Sequence, residues 1–465
     1  MTEPVPVFVA GAGPAGLTAA WLLASRHVPV VVCEQRGQVG GLARTETHRG
    51  FRFDIGGHRF LTLLPEIQQL WTDTLGEDFL TVPRLSRIFY RGRFLSYPLT
   101  LPNVVKTVGA WEALRIVASW TRAQANGRRH ADQSLEQWMT SRFGERLYLS
   151  FFKAYTEKVW GIPCTEIRAD WAAQRIAGLT LRTVVSDALV GGRGSAASLA
   201  RKFHYPRLGP GQMWERFADR VVAAGGDIRL GTRVAAFRHD GRQIISVVVD
   251  NGHEQDLPVA HVITSLPLRS LLTQLDPPPP NHVRAAARVL RYRDFVLVGL
   301  ILDVPWTFPD TWLYIHDPGV KVGRIQNFRN WSPAMTCDDQ RTHIGMEYFC
   351  SVGDAIWSLT DDELTDLAIR ELHGLSLTRG ARVEGACVIR ETEAYPVYDT
   401  AYKTSLAVIR EYLAQFRNLQ TIGRNGLHRY NNQDHSMMTG LLAARNLLGE
   451  RHDLWDAHVD GPPAG

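Results

Sequence analysis

Cysteine is scarce in this chain, with 5 among 465 residues. Cys33, Cys164, Cys337, Cys350 and Cys387 are scattered, odd in number and never spaced as Cys-x-x-Cys. That spacing excludes a disulfide scaffold and a cysteine-held metal centre. It predicts reduced, packed thiols in a cytoplasmic protein with no metal site. Long apolar runs are also missing, and none approaches the roughly 20 residues that span a bilayer. The first strand-like run starts at Val5, so no signal peptide is expected. Neither sign of charge dominates. The 52 Lys and Arg stand against 47 Asp and Glu, a formal charge of +5, and the basic residues are dispersed rather than blocked. This argues against nucleic acid as a partner. No internal repeat is present. The length exceeds one compact core, so more than one domain is expected.

What is present starts at the N-terminus. Val5 to Ala10 reads as a strand that runs straight into Gly11-Ala12-Gly13-Pro14-Ala15-Gly16, and a second apolar run, Val28 to Val32, ends near Glu34. This is a βαβ dinucleotide fingerprint. Gly11 permits the tight turn, Gly13 lets a pyrophosphate approach the backbone, and Gly16 lets the helix pack on the strand. First-turn amides and the helix dipole hold the phosphates, while Glu34 can accept bonds from an adenosine ribose. An acid at that position favours FAD or NAD over NADP.

Further along, Gly40-Gly41-Leu42-Ala43-Arg44 and Gly56-Gly57-His58-Arg59-Phe60 flank the short run Phe51 to Asp54. Paired glycines there suit a backbone pressed against a flat cofactor, or else ordinary turns. From 66 to about 200 the pattern is helical, with a glycine-rich loop at Gly191 to Ala197 that reads as a lid or a plain surface loop. Residues 228–267 alternate as a β-meander punctuated by Asp240-Gly241 and Asn251-Gly252. A second sheet is expected from 285 to 395, including Phe295 to Leu302 and Ile344 to Cys350. Thr421 to Gly426 reads as a strand-to-helix turn, followed by a helix from Ser436 to Leu448.

Reductases fed by NADPH usually carry a second glycine fingerprint, and this chain has one. A single fingerprint with a returning C-terminal segment suits an extended FAD. The fold class is therefore α/β. An interleaved Rossmann-type FAD-binding domain is assigned to 1–65, 206–270 and 396–455. A helical substrate and lid domain takes 66–205, a mixed-sheet substrate domain takes 271–395, and 456–465 is a flexible tail.

The fingerprint, Gly40-Gly41, the strand Ile263 to Pro267 and the Gly423-Arg424 turn resemble the amine-oxidase and protoporphyrinogen-oxidase superfamily of FAD enzymes. Within it, the closest pattern is that of UDP-galactopyranose mutase. The resembling segments are Gly56 to Thr62, Phe94 to Leu99, Tyr155 to Gly161 with Arg175-Ile176, Leu290 to Arg293, Tyr395 to Val397, and Gly423 to Gln433. The resemblance implies a cofactor set of Gly11, Gly13, Pro14, Ala15, Gly16, Glu34, Gln35, Gly41, Leu42, Arg44, Gly56, Gly57, His58, Val234, Gly423, Arg424, Asn432 and Gln433. It places His58 by the flavin, Tyr155 and Trp160 in the substrate pocket, Arg175 and Arg293 as a diphosphate clamp, and Tyr430 at the substrate phosphate. The catalytic set it implies is His58, Trp160, Arg175, Arg293 and Tyr430. Guanidinium forks match phosphate oxygens, although surface or structural ion pairing is the plainer role for an arginine.

Three positions depart from the mutase pattern. Its second histidine is Leu61 here, its tyrosine before an Arg-Ile pair is Val322, and the acid after its C-terminal tyrosine is Asn432. Two enzyme readings follow for a small polar substrate such as a sugar or nucleotide sugar. The first is hydride transfer to FAD, with Phe60, Trp160 and Tyr430 as walls and His58 or His428 as base. The alternative is redox-neutral pyranose–furanose rearrangement by reduced flavin. A non-catalytic FAD-binding protein is a third reading. The sequence is silent on oligomeric state.

Overall fold

The computed structural model describes residues 5–96, 109–125, 134–169, 202–378 and 380–456. Strand Val7–Ala10 is buried along its whole length. Its side chains alternate between two cores: Val7 and Val9 join one, Phe8 and Ala10 the other. That two-sided burial is what a central parallel strand covered on both faces requires. The sheet has five parallel strands in the order Leu419–Thr421, His261–Thr264, Val7–Ala10, Val30–Cys33 and Asp227–Arg229. Helices Pro14–Ala24, Pro210–Ala223 and Gln433–Leu447 supply the first core. Gly440 permits the closest helix approach, since a Cβ there would lie 2.2 Å from the Ala15 carbonyl oxygen.

The predicted meander is present as antiparallel strands Arg233–His239, Ile244–Asp250 and Glu254–Pro258. The run from Ile228, expected within it, instead forms the edge strand Asp227–Arg229 of the parallel sheet. The predicted second sheet is also present, led by Tyr292–Leu302 and Thr342–Cys350, but it draws strands from further away. Its order is Val383–Pro396, Tyr292–Leu302, Thr342–Cys350, Arg324–Asn327, Trp312–Ile315, Ser86–Tyr90 and Arg93–Ser96.

The last two strands correct the helical reading of 66–205. They form a hairpin whose turn residues Arg91 and Gly92 have φ of 49° and 72°, the left-handed pair that a two-residue hairpin loop needs. Strand Phe79–Pro83, in the same stretch, pairs with Lys202–Pro206. Helices do occupy Ala110–Ala125, Leu135–Phe143 and Lys153–Trp160. Tyr97 to Leu99, Arg175-Ile176, the Gly191 to Ala197 loop and positions 457–465 lie outside the described residues.

Candidate active site

Four strands of the parallel sheet end on one rim. Ala10, Cys33, Thr264 and Thr421 are followed at once or within two residues by Gly11, Glu34, Ser265 and Gly423, all lining one cavity of about 750 Å³. The carboxyl ends of parallel strands are where an open α/β sheet binds its ligand. Helix Pro14–Ala24 begins there with Gly13 as its N-cap and no side-chain cap bond. Its first amides are thus offered to the cavity, where an anion is favoured by the helix dipole.

Gly11 and Gly16 have the turn and packing geometry expected of them. Gly11 has a φ of 97°, which only glycine adopts without strain. Gly16 is a packing residue, because a Cβ there would meet the Gly11 carbonyl oxygen at 2.0 Å. Gly13 and Gly41 face each other, and a Cβ on Gly41 would lie 3.3 Å from the Gly13 Cα. Glu34 is buried and its carboxylate is oriented by the amides of Ala12 and Arg36, each at 3.0 Å. Pro14, Ala15, Gln35, Leu42, Gly56, Gly57, Val234, Asn432 and Gln433 complete the lining. The cavity is a trough whose lining includes Val234 and Gln274, the facing Gly13 and Gly41, and Tyr155 and Tyr314, a set that suits an extended dinucleotide. Arg44, also assigned to the cofactor, is off the wall. It is 2% exposed and bonded to Glu46, Glu391 and the Gly41 carbonyl, so it braces the Gly40–Ala43 turn.

At the other end stand His58, Tyr155, Tyr314, His316, Arg324, Tyr395, Arg424 and Tyr430. His58 Nε2 lies 2.9 Å from the Ile55 carbonyl oxygen. Burial, with Arg424 and Arg324 nearby, lowers its pKa to about 4. It is a neutral wall group and a poor base. His428 is fully buried away from the cavity, against the Val397 carbonyl, and is no base either. Tyr430 stacks on Tyr395 with centroids 5.5 Å apart, and Arg424 lies 4.5 Å over its ring. The Arg424 guanidinium donates to the carbonyls of Asn431 and Ala394 rather than to a carboxylate.

Other expectations are displaced. Trp160 is buried in the helical core with its ring tilted against Tyr430, centroids 6.0 Å apart, supporting the pocket without lining it. Phe60 is stacked on Trp71 at 4.0 Å inside the first core. Arg293 is turned away. It bonds the carbonyls of Val159, Lys158 and Phe349 and the Ser351 hydroxyl, so its fork is spent on the end of helix Lys153–Trp160. Arg175 lies outside the described residues, so of the expected two-arginine clamp only Arg293 can be placed. Cys337 is exposed, against the expectation of packed thiols.

Sequence reasoning missed Arg324. In Val322 to Ile325 the departure from a tyrosine at Val322 is the conspicuous feature, and the arginine two residues on is not. Arg324 and Gln326 sit two apart on strand Arg324–Asn327, hence on one face. Both bond Glu347 on the adjacent strand, Arg324 Nε at 2.5 Å and Gln326 Nε2 at 2.6 Å. Burial opposes the Arg324 charge, but Glu347 and the tyrosine ring of groups, led by Tyr395, more than offset it and hold the guanidinium firmly protonated. Two polar residues two apart, Arg324 and Gln326 either side of Ile325, were the available signal.

This geometry defines a flavin-dependent enzyme with a polar pocket continuous with its FAD trough. The chain belongs to the flavin containing amine oxidoreductase family, which it matches over residues 14–431. Its fold is similar to that of reduced UDP-galactopyranose mutase, with a TM-score of 0.86, 20% identity and 98% of this chain and 96% of that one covered. It is also similar to a putative protoporphyrinogen oxidase from Exiguobacterium sp. 255-15, at a TM-score of 0.74, 16% identity and 96% and 99% coverage. Putrescine oxidase bound to putrescine follows at a TM-score of 0.60, 17% identity and 96% and 99% coverage. Among curated proteins, dTDP-fucopyranose mutase of Escherichia coli is 28% identical over 172 residues, 35% of this chain and 44% of that protein. The matched stretch thus spans less than half of that relative. Among the described residues, no helix is long and apolar enough to cross a membrane, and no metal-binding cluster occurs.

Proposed function

We propose that this flavoenzyme acts on a nucleotide sugar and that its pocket is built for redox-neutral rearrangement of the sugar ring. The observation that carries the reading is the convergence of Arg324 and Arg424 on the pocket wall beside neutral His58, with Tyr155, Tyr314, Tyr395 and Tyr430 around them. A cationic pocket repels an ammonium substrate and attracts an anionic diphosphate. The identity to a dTDP-fucopyranose mutase supports the same substrate class. Bound FAD supplies a nucleophilic N5 when reduced and a hydride acceptor when oxidised.

The chain's own residues then have distinct tasks. Arg324 and the tyrosine hydroxyls hold a departing nucleoside diphosphate in place for its return, which is catalysis by positioning. Glu347 and Gln326 lock the Arg324 fork, and Arg424 fixes the Tyr430 ring from above. Neither His58 nor His428 is suited to abstract a proton at neutral pH, which weakens the hydride-transfer reading that the sequence placed first. That second reading is favoured by one observation: Leu61, Val322 and Asn432 remove polar groups of the mutase pattern. Such losses change what a pocket accepts by large factors.

The test is an anaerobic assay of oxidised and dithionite-reduced enzyme against UDP- and dTDP-linked hexopyranoses. Ring-contracted product from reduced enzyme alone, with no net change in flavin absorbance, is the expected result. Bleaching of oxidised flavin by substrate would overturn the rearrangement.

A further inference from the structure

Strand Phe51–Asp54 leads into Ile55 to His58, all four of which line the cavity. Asp54 itself is 1% exposed and sits behind that wall. Its Oδ1 accepts a hydrogen bond from Thr45 Oγ1 at 2.9 Å, and its Oδ2 accepts one from the Tyr205 hydroxyl. Thr45 Oγ1 in turn accepts the Gly211 amide at 3.0 Å, in the first turn of helix Pro210–Ala223. The Asp54 carbonyl accepts the Gly56 amide at 2.8 Å. Packing leaves no slack, since a Cβ on Gly209 would lie 2.7 Å from Asp54 Oδ1. Two strands and a helix start therefore meet on one carboxyl directly behind the cavity-facing turn.

A joint of this kind needs hydrogen bonds but not an ionisable group. Strand Thr45–His48 presents only the Thr45 hydroxyl to Asp54, and strand Lys202–Pro206 presents only the Tyr205 hydroxyl. The helix presents backbone at Gly209 to Gly211, and Met335 lies 3.7 Å from the Tyr205 oxygen. Among the described residues, no Lys, Arg or His side chain bonds or ion-pairs with the carboxyl. Burial raises its pKa to about 7, against the lowering effect of the Tyr205 and Thr45 bonds. A charge that switches in the neutral range thus stands one residue from the trough.

We propose that Asp54 is a positioning residue of the flavin site: its carboxyl fixes the Ile55–His58 turn, and its charge adds a further pH dependence to the reduction potential of the bound flavin. A nearby negative charge disfavours adding electrons, so protonating Asp54 as pH falls raises the potential. The proposal uses the FAD trough and is independent of the substrate reading.

The experiment measures the midpoint potential of the bound flavin from pH 5.5 to 8.5 in wild-type, Asp54→Asn and Tyr205→Phe holoenzymes, after flavin content is matched by absorbance. Wild type is expected to show an added inflection near pH 7. Asp54→Asn loses it and has the higher potential above that pH. Tyr205→Phe moves the inflection upward, because the lost hydroxyl bond favoured the carboxylate. A potential–pH curve in Asp54→Asn that is the same as in wild type, or an added inflection that stays fixed in Tyr205→Phe, overturns the proposal.

Thermal unfolding against pH supplies a readout without flavin. Folded Asp54 keeps its proton to about pH 7, whereas the unfolded carboxyl loses it near 3.8. The folded state binds that extra proton between those values, so the contribution of Asp54 to stability falls as pH rises through the window, against the larger opposite trend of the buried histidines. Tyr205→Phe should carry that fall to higher pH, and Asp54→Asn, if it folds, should lack it. Equal slopes in all three proteins would overturn the assignment even if no variant retains FAD.

Discussion

At the scale of single residues, the proposed substrate site rests on Arg324. Its partner Glu347 has no solvent exposure, so removing the guanidinium strands a buried carboxylate. Breaking such a pair costs about 3–5 kcal/mol. Arg324→Met is therefore expected to lose stability of that order, read as a lower urea midpoint. Arg324→Lys keeps the charge but cannot serve Glu347, Tyr395 and a ligand together, because an ammonium lacks the planar fork. It should retain FAD while lowering kcat/KM for an accepted nucleotide sugar by about 100-fold, the scale of one lost electrostatic contact. Steady-state kinetics at matched flavin content checks this. Wild-type kinetics in Arg324→Lys would remove Arg324 from the substrate machinery. The sequence exposed Leu61, Val322 and Asn432 as departures because those are identities. It hid Arg324 because that role depends on which face of a strand Glu347 meets.

At the scale of elements, the helix Lys153–Trp160 carries Tyr155 into the pocket, and two cations hold it there. A π-helical turn, Tyr148–Phe152, precedes it, and Tyr148, Phe151, Phe152 and Tyr155 all reach the cavity. Such turns recur at functional sites because the extra residue re-aims side chains. Lys158 Nζ donates to the carbonyls of Ile315, Asp317 and Val322 at 3.1–3.2 Å. This ties the helix to the segment bearing His316, whose ring stacks on Tyr155 at 4.3 Å. Arg293 binds the last carbonyls of the helix, and Gly161 closes it with a φ of 67°. The expected clamp residue is thus a helix anchor. Arg293→Ala should leave several carbonyls without donors and cost about 2–3 kcal/mol. Because Tyr155 then moves more freely, KM should rise more than kcat falls. Hydrogen exchange over 153–161 should accelerate with it. A fall in kcat at unchanged KM and unchanged exchange would return Arg293 to direct catalysis.

At the scale of the whole molecule, legibility followed the range of the interaction. The glycine turn, the Asp240-Gly241 hairpin and the C-terminal strand-to-helix turn are local patterns, and each was readable. The hairpin Ser86 to Ser96 was not, because its sheet partner Trp312–Ile315 lies more than 200 positions away. The same long-range packing hides three imidazoles. His343 and His428 have no exposure and His316 has 7%. Burial lowers their pKa values to about 4, 4 and 3. The unfolded chain protonates them near 6.5, so below that pH it binds more protons than the fold does. Stability must fall as pH drops toward 4, with a limiting slope of roughly 1.4 kcal/mol per pH unit for each histidine. His58, also lowered to about 4, adds a fourth such contribution and the raised Asp54 carboxyl an opposing one, so the net slope between pH 6.5 and 4 is about 4 kcal/mol per unit. Cooperative acid unfolding near pH 5 is the expected outcome, followed by circular dichroism with urea midpoints between pH 7 and 5. His343 packs among Phe51, Phe53 and Phe328 and lies off the cavity wall. His343→Gln should therefore remove about a third of the slope while leaving flavin binding intact. An unchanged slope would mean that this imidazole takes up its proton in the folded state near the ordinary pH, and that the acid lability of the protein lies elsewhere.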